Sequence, residues 1–114
     1  MPYPVALKDT LSSTPEDGLL RQVLAHSDQL MLVRHLMQPG WHGARHNHPH
    51  EQLVYVIRGK LIFTLGAESF EIAAGDSLIV PGGVEHQALA LEPSEVLDIF
   101  TPRRDDYAPQ EHRA

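Results

Sequence analysis

The sequence predicts one all-β domain, an antiparallel sandwich or small barrel, on three observations. From Gln29 onward the apolar runs are short and rich in β-branched residues. Turn residues interrupt them at steps of about 7 to 10 residues. That rhythm leaves no room for the crossover helices that a parallel sheet needs. At 114 residues the chain holds one ordinary domain, so any active site lies inside one core or at a self-association interface.

Each element follows from its residues. Residues 1–18 scatter Pro2, Pro4, Pro15 and Gly18 around Ser12-Ser13-Thr14, which offers little continuous apolar face and predicts an extended N-terminal arm. Next, Thr14-Pro15-Glu16-Asp17 could cap a helix through Leu19, Leu20, Val23 and Leu24, but that spacing suits a strand equally, and both readings stay open over 14–25. Strands are then expected over Leu30–Met37, Leu53–Arg58, Lys60–Leu65, Phe70–Ala73, Ser77–Val80, His86–Leu91 and Glu95–Phe100. Pro39-Gly40, Gly59, Gly66, Gly75, Pro81-Gly82-Gly83 and Pro93 punctuate them. The barrel is thus expected over residues 19–101, followed by a charged, proline-interrupted tail over 102–114 lying across a rim or a neighbouring subunit. Leu53-Val54-Tyr55-Val56-Ile57 is apolar on both faces and needs two covers. A homodimer interface is one candidate for the outer cover, and the chain's own N-terminal arm is the other.

Composition narrows the function. Nine Lys and Arg against fifteen Asp and Glu give a net charge of −6, which disfavours nucleic acid and anionic membrane surfaces as partners. Absence of cysteine removes disulfides, thiolate nucleophiles, Fe–S clusters and Cys-based zinc sites, so a metal would bind through N and O. No apolar run is long enough to span a bilayer, and Met1-Pro2-Tyr3-Pro4 does not read as a signal peptide, so the cytoplasm is the expected location.

Histidine occurs eight times, and His42, His46, His48 and His50 fall within nine residues. His46, His48 and Gln52 share strand parity and project to one face, with Pro49 supplying an irregularity that lets their tips converge. His86 follows the tight Pro81-Gly82-Gly83 turn, on a later strand that a barrel can bring opposite. Three imidazoles and one amide oxygen would surround one divalent transition ion (Mn, Fe, Co, Ni or Zn) and leave one or two positions for water or substrate, a catalytic type of site. His50 reads as a rim residue, His26, His35, His42 and His112 as plain surface or strand histidines, and Trp41 as either a sugar-stacking face or ordinary packing.

These residues resemble the cupins. That family's first motif falls on Gly40, His46, His48, Gln52 and Gly59 with every spacing kept, and Gln52 stands where the family usually has Glu. The second falls on Gly75, Pro81, Gly83 and His86, with Ala90 in place of Asn. The resemblance implies a cupin-type double-stranded β-helix, a jelly-roll barrel with the metal inside. An amide at position 52 cancels none of the ion's charge, which leaves the ion more electrophilic and less firmly held, and suits an anionic small-molecule substrate. The His-Pro-His-Glu-Gln run is similar to that of small pectin-degradation cupins, which open 4,5-unsaturated uronates to linear keto sugars. That narrower resemblance implies functional roles for Asp98, Phe100 and Arg104, with Arg103 as a substitute for Arg104. In it Asp98 moves a proton and Arg104 clamps a uronate carboxylate; otherwise Asp98 faces outward and Arg104 pairs with Asp105 or Asp106 at the surface. Two alternatives stand beside this enzyme: a cupin dioxygenase using Fe(II) and O2, and a non-catalytic cupin that binds metal or a small ligand.

Overall fold

The computed structural model describes residues 3–107; Met1, Pro2 and residues 108–114, with His112 and the end of the charged tail, lie outside the described residues. A 3-10 turn at Leu7–Asp9 precedes nine strands: β1 (Ser13–Glu16), β2 (Leu19–His26), β3 (Met31–Met37), β4 (Glu51–Arg58), β5 (Lys60–Leu65), β6 (Glu68–Ala73), β7 (Ser77–Val80), β8 (His86–Ala90) and β9 (Ser94–Thr101). Every run expected to be a strand is one. The segment left open between helix and strand over 14–25 is extended: its first residues belong to β1, which pairs with β2, and from Leu19 it is β2, which pairs with β3 from Leu19↔Met37 to His26↔Met31. The edge of β3 offers that segment a full row of backbone partners, whereas a helix of its length is marginal by itself.

Two antiparallel sheets face each other as a β-barrel, one in the order β1-β2-β3-β9-β4-β7 and the other β6-β5-β8. The segment after Gly40 runs beside β8 and widens the smaller sheet: Gly40 N–H donates to Ala90 O (2.8 Å) and Gly43 N–H to Ala88 O (3.0 Å). Strict alternation on β3, β8 and β9 sends every second residue inward. The inward residues form two apolar clusters. The larger joins Leu19, Met37, Val54, Val56, Leu61, Phe63, Val80 and Val96; the smaller holds Met31, Val33 and Phe100. Between them the inward positions of three neighbouring strands are polar: His35 on β3, Asp98 on β9 and Gln52 on β4, all buried. A buried polar layer between two dry clusters is costly unless its members satisfy one another.

The outward face of the larger sheet is apolar as well. Register places Leu32, Ile99, Leu53 and Ile79 side by side across β3, β9, β4 and β7. The described part of the N-terminal arm does not cover this face, since Tyr55 and Ile79 are 43% and 48% exposed while Leu11 of the arm is itself 90% exposed. Among the described residues no helix is long and apolar enough to cross a membrane.

Candidate metal centre

The three histidines meet because backbone pairing brings two distant segments together. His46 and His86 exchange both main-chain hydrogen bonds (3.1 and 2.8 Å), so their side chains leave one face and the ring centroids lie 4.3 Å apart. The turn before His86 is clamped to the segment around His48: Gly83, at φ +82°, donates its N–H to His48 O at 2.8 Å. Gly82 packs so closely on the Pro49 carbonyl that a side chain there would collide with it. His48 lies 4.8 Å from His86 between ring centroids, and the ligand nitrogens of all three rings lie within 4.8 Å of one another.

Hydrogen bonding selects the tautomer. Each Nδ1 faces a main-chain carbonyl, that of Ala44 for His46 (2.9 Å), His50 for His48 (3.1 Å) and Val84 for His86 (2.9 Å). A ring nitrogen facing a carbonyl carries the proton, so each Nε2 keeps its lone pair for the centre. His86 Nε2 is buried and has no hydrogen-bond partner among the described residues. His48 Nε2 faces Gln52 Oε1 at 3.2 Å, and Gln52 cannot turn its amide to answer, because its Nε2 donates to Asp98 Oδ1 at 2.9 Å. Two acceptors therefore confront each other. Burial, with Arg104 and His86 nearby, pushes the His48 pKa down to about 4, so no second proton relieves the pair near neutrality. Burial likewise lowers His86, with His46 and Arg104 adding to it. The buried Nε2 lone pairs of His48 and His86 and the amide oxygen of Gln52, with the exposed His46 completing the cluster, fit a divalent transition ion.

A cavity of about 290 Å³ opens beside this cluster, lined by Arg21, His35, Trp41, Asp98, Phe100 and Arg104 among others. Asp98 faces inward, is 4% exposed, and accepts from Gln52 on Oδ1 and from His35 Nδ1 on Oδ2 (2.7 Å). Phe100 is buried edge-on to His48, with ring centroids 5.7 Å apart. Arg104 is buried too. Its Nε and Nη2 donate to Asp106 (3.0 and 2.8 Å), and this bond with the Arg104 charge holds Asp106 below the usual carboxylate range. The remaining nitrogen, Nη1, is buried without a partner among the described residues. Arg103 instead pairs with Asp105 (3.0 Å) outside the cavity lining. His46, His48, Gln52, His86, Asp98, Phe100 and Arg104 are thus neighbours, while His50 stands outside the three-nitrogen cluster with its ring 5.4 Å from that of His48. Trp41 lies across Gly43, ties its Nε1 to Glu16 (2.9 Å) and lines the cavity.

Three residues of this site escape a reading of the sequence. His35, expected as a plain strand histidine, is 6% exposed and bonded to Asp98. Its parity with Met31, Val33 and Met37 on one strand is the signal that places it inside. Arg21 donates from Nε to His35 Nε2 (3.0 Å), and the Tyr107 ring lies against both the Arg21 and Arg104 guanidiniums (3.7 and 4.0 Å). Neither carried a motif that would mark it.

A double-sheet β-barrel with inward-facing histidines contributed by two sequence segments is the architecture of one class, and the chain belongs to it: the cupin domain family matches residues 33–100. Within that class it is similar to the pectin degradation protein KdgF of Dickeya dadantii (strain 3937), with 32% identity over 93 residues, 80% of this chain and 84% of that protein. The structure of KdgF from Halomonas sp. superposes with a TM-score of 0.90 at 34% identity, covering 95% of this chain and 100% of that one. Oxalate decarboxylase of Bacillus subtilis, a protein with Mn(II) centres, gives a TM-score of 0.77 at 26% identity over 89% of this chain and 30% of that chain.

Proposed function

We propose that this cupin opens 4,5-unsaturated uronates to linear keto sugars in a reaction that depends on a divalent transition metal. The observation that carries the reading is the pairing, at one cavity, of a buried Arg104 nitrogen without a partner among the described residues and the inward carboxylate of Asp98, both beside the three histidines. The likeness to two KdgF proteins, one of them called a pectin degradation protein, supports the substrate class. His46, His48 and His86 would hold the ion through Nε2, and Gln52 through Oε1. When bound, the ion supplies Lewis-acid stabilisation of negative charge developing on substrate oxygen.

The chain's own residues do the rest. Arg104 Nη1 donates to the uronate carboxylate, while its two bonds to Asp106 hold the guanidinium in one orientation. Phe100 gives the site an apolar wall that excludes water. Asp98 removes the proton of the anomeric hydroxyl, and the bond between the anomeric carbon and the ring oxygen breaks. The resulting enolate accepts the proton at the distal carbon of the former double bond, leaving an aldehyde and a ketone. No atom is gained or lost, so the reaction needs no co-substrate.

The test follows the ultraviolet absorbance of an unsaturated uronate after addition of the full chain with Mn(II). We expect rapid loss of absorbance, abolished by a chelator and restored by Mn(II). An absorbance trace indistinguishable from the protein-free control at high enzyme concentration would contradict the reading, and O2 uptake with a catechol or diketone would assign dioxygenase chemistry to the site instead. The apolar row on the outward face of the larger sheet, half-buried at Leu32, Leu53 and Ile99 and exposed at Ile79, supports a homodimer as the state in which the chain works.

A further inference from the structure

His35 is a buried histidine that the proposed reaction does not use, and it stands between a permanent cation and the carboxylate that moves the proton. Its two ring nitrogens have different neighbours: Arg21 Nε–H points at Nε2 from 3.0 Å, and Asp98 Oδ2 lies 2.7 Å from Nδ1. A guanidinium only donates, so His35 Nε2 must be the acceptor. In the neutral ring the proton then sits on Nδ1, aimed at Asp98. Arg21 is itself held in place, its guanidinium 3.7 Å above the Tyr107 ring, against which Arg104 also packs. On its other oxygen Asp98 accepts from Gln52, so donors from the two strands that flank β9, β3 and β4, fix the carboxylate from both sides.

We infer that Arg21 and His35 form a positioning relay for Asp98, in which Arg21 locks His35 as the Nδ1–H tautomer and His35 fixes the rotation of the Asp98 carboxylate toward the cavity. This rests on the reading that Asp98 handles the proton. A purely structural histidine at the same place would need burial and packing but no defined tautomer. The relay needs both nitrogens in assigned roles, and replacing partners of this kind typically costs about 10- to 100-fold.

The test begins with nitrogen-15 NMR of the imidazoles in the full chain with one equivalent of diamagnetic Zn(II), which reports the His35 tautomer without any substrate. A protonated Nδ1 and an unprotonated Nε2 are expected; a protonated Nε2, or an even mixture of the two forms, would overturn the relay. Arg21→Met should spread His35 over both tautomers and lower kcat for uronate opening by about 10-fold, with KM changed by less than about twofold. His35→Leu should lose as much or more, and His35→Asn, whose amide can offer an N–H near the Nδ1 position, should recover most of it. Unchanged kcat in folded Arg21→Met and His35→Leu would also overturn the inference. If the wild-type chain shows the locked tautomer yet turns over no uronate, the functional proposal fails and the lock itself stands, so the two failures are distinguishable.

Discussion

Gln52 shows how one side chain can be read from its partners. The cupin motif usually has a glutamate here, yet in this chain the side chain must give a hydrogen to Asp98 Oδ1 at 2.9 Å while turning its oxygen to His48. A carboxylate at position 52 would have no hydrogen to give and would set two like charges against each other in a buried layer. Gln52→Glu should therefore destabilise the metal-free chain by about 1 to 3 kcal/mol, and adding Asp98→Asn should recover most of that loss, because the asparagine amide can donate in the reverse direction. Urea unfolding of the two single variants and the double variant measures this coupling; additive effects would count against it. His48 carries a second prediction. Its folded pKa of about 4 lies below the ordinary histidine value of 6.5, so across that window the unfolded chain binds the proton and the folded chain does not. Stability of the metal-free protein should rise with pH from about 4 to 6.5, with His86 acting in the same direction. The slope should flatten in His48→Gln, and an unchanged slope would assign the pH dependence elsewhere.

Among the elements, β3, β8 and β9 were legible because a period of two with apolar inward residues has few other readings. The β2 segment was not, since Leu19, Leu20, Val23 and Leu24 suit either period and only the neighbouring edge of β3 decides between them. The motif residues were legible through their spacing, and His35 was hidden by its company: a single histidine in an apolar strand carries no spacing to mark it, although its phase on β3 points inward. Arg21 and Tyr107 enter the site through packing that joins the two ends of the chain, which no local pattern reports. The turn before β8 yields the element-scale prediction. Gly82 lies against the Pro49 carbonyl and Gly83 donates to His48 O, so this turn fixes the distance between the two histidine-bearing segments. Gly82→Ala should push the turn off Pro49 and weaken metal affinity by about 10-fold or more while leaving the β-sheet circular dichroism intact. Calorimetric titration of metal into the variant checks this, and wild-type affinity would show that the contact does not set the site.

At the scale of the whole molecule, the barrel has two faces to account for, one closed around the polar layer and one left apolar toward solvent. Leu32, Ile99, Leu53 and Ile79 lie in a row across four strands, and a row of that kind is stable when another surface covers it. Sedimentation velocity should therefore find a dimer that Ile79→Lys shifts toward monomer; a monomeric wild-type chain at micromolar concentration would contradict this. The closed face carries the central claim, that the fold brings two segments some 40 residues apart in sequence to a single metal ion, in keeping with the short connections of an antiparallel barrel. The most direct measurement is anomalous scattering from crystals of the full chain grown with Mn(II). The account predicts one strong peak at bonding distance from Nε2 of His46, His48 and His86 and from Oε1 of Gln52. A peak elsewhere, or none among those four atoms with the metal in excess, would contradict it.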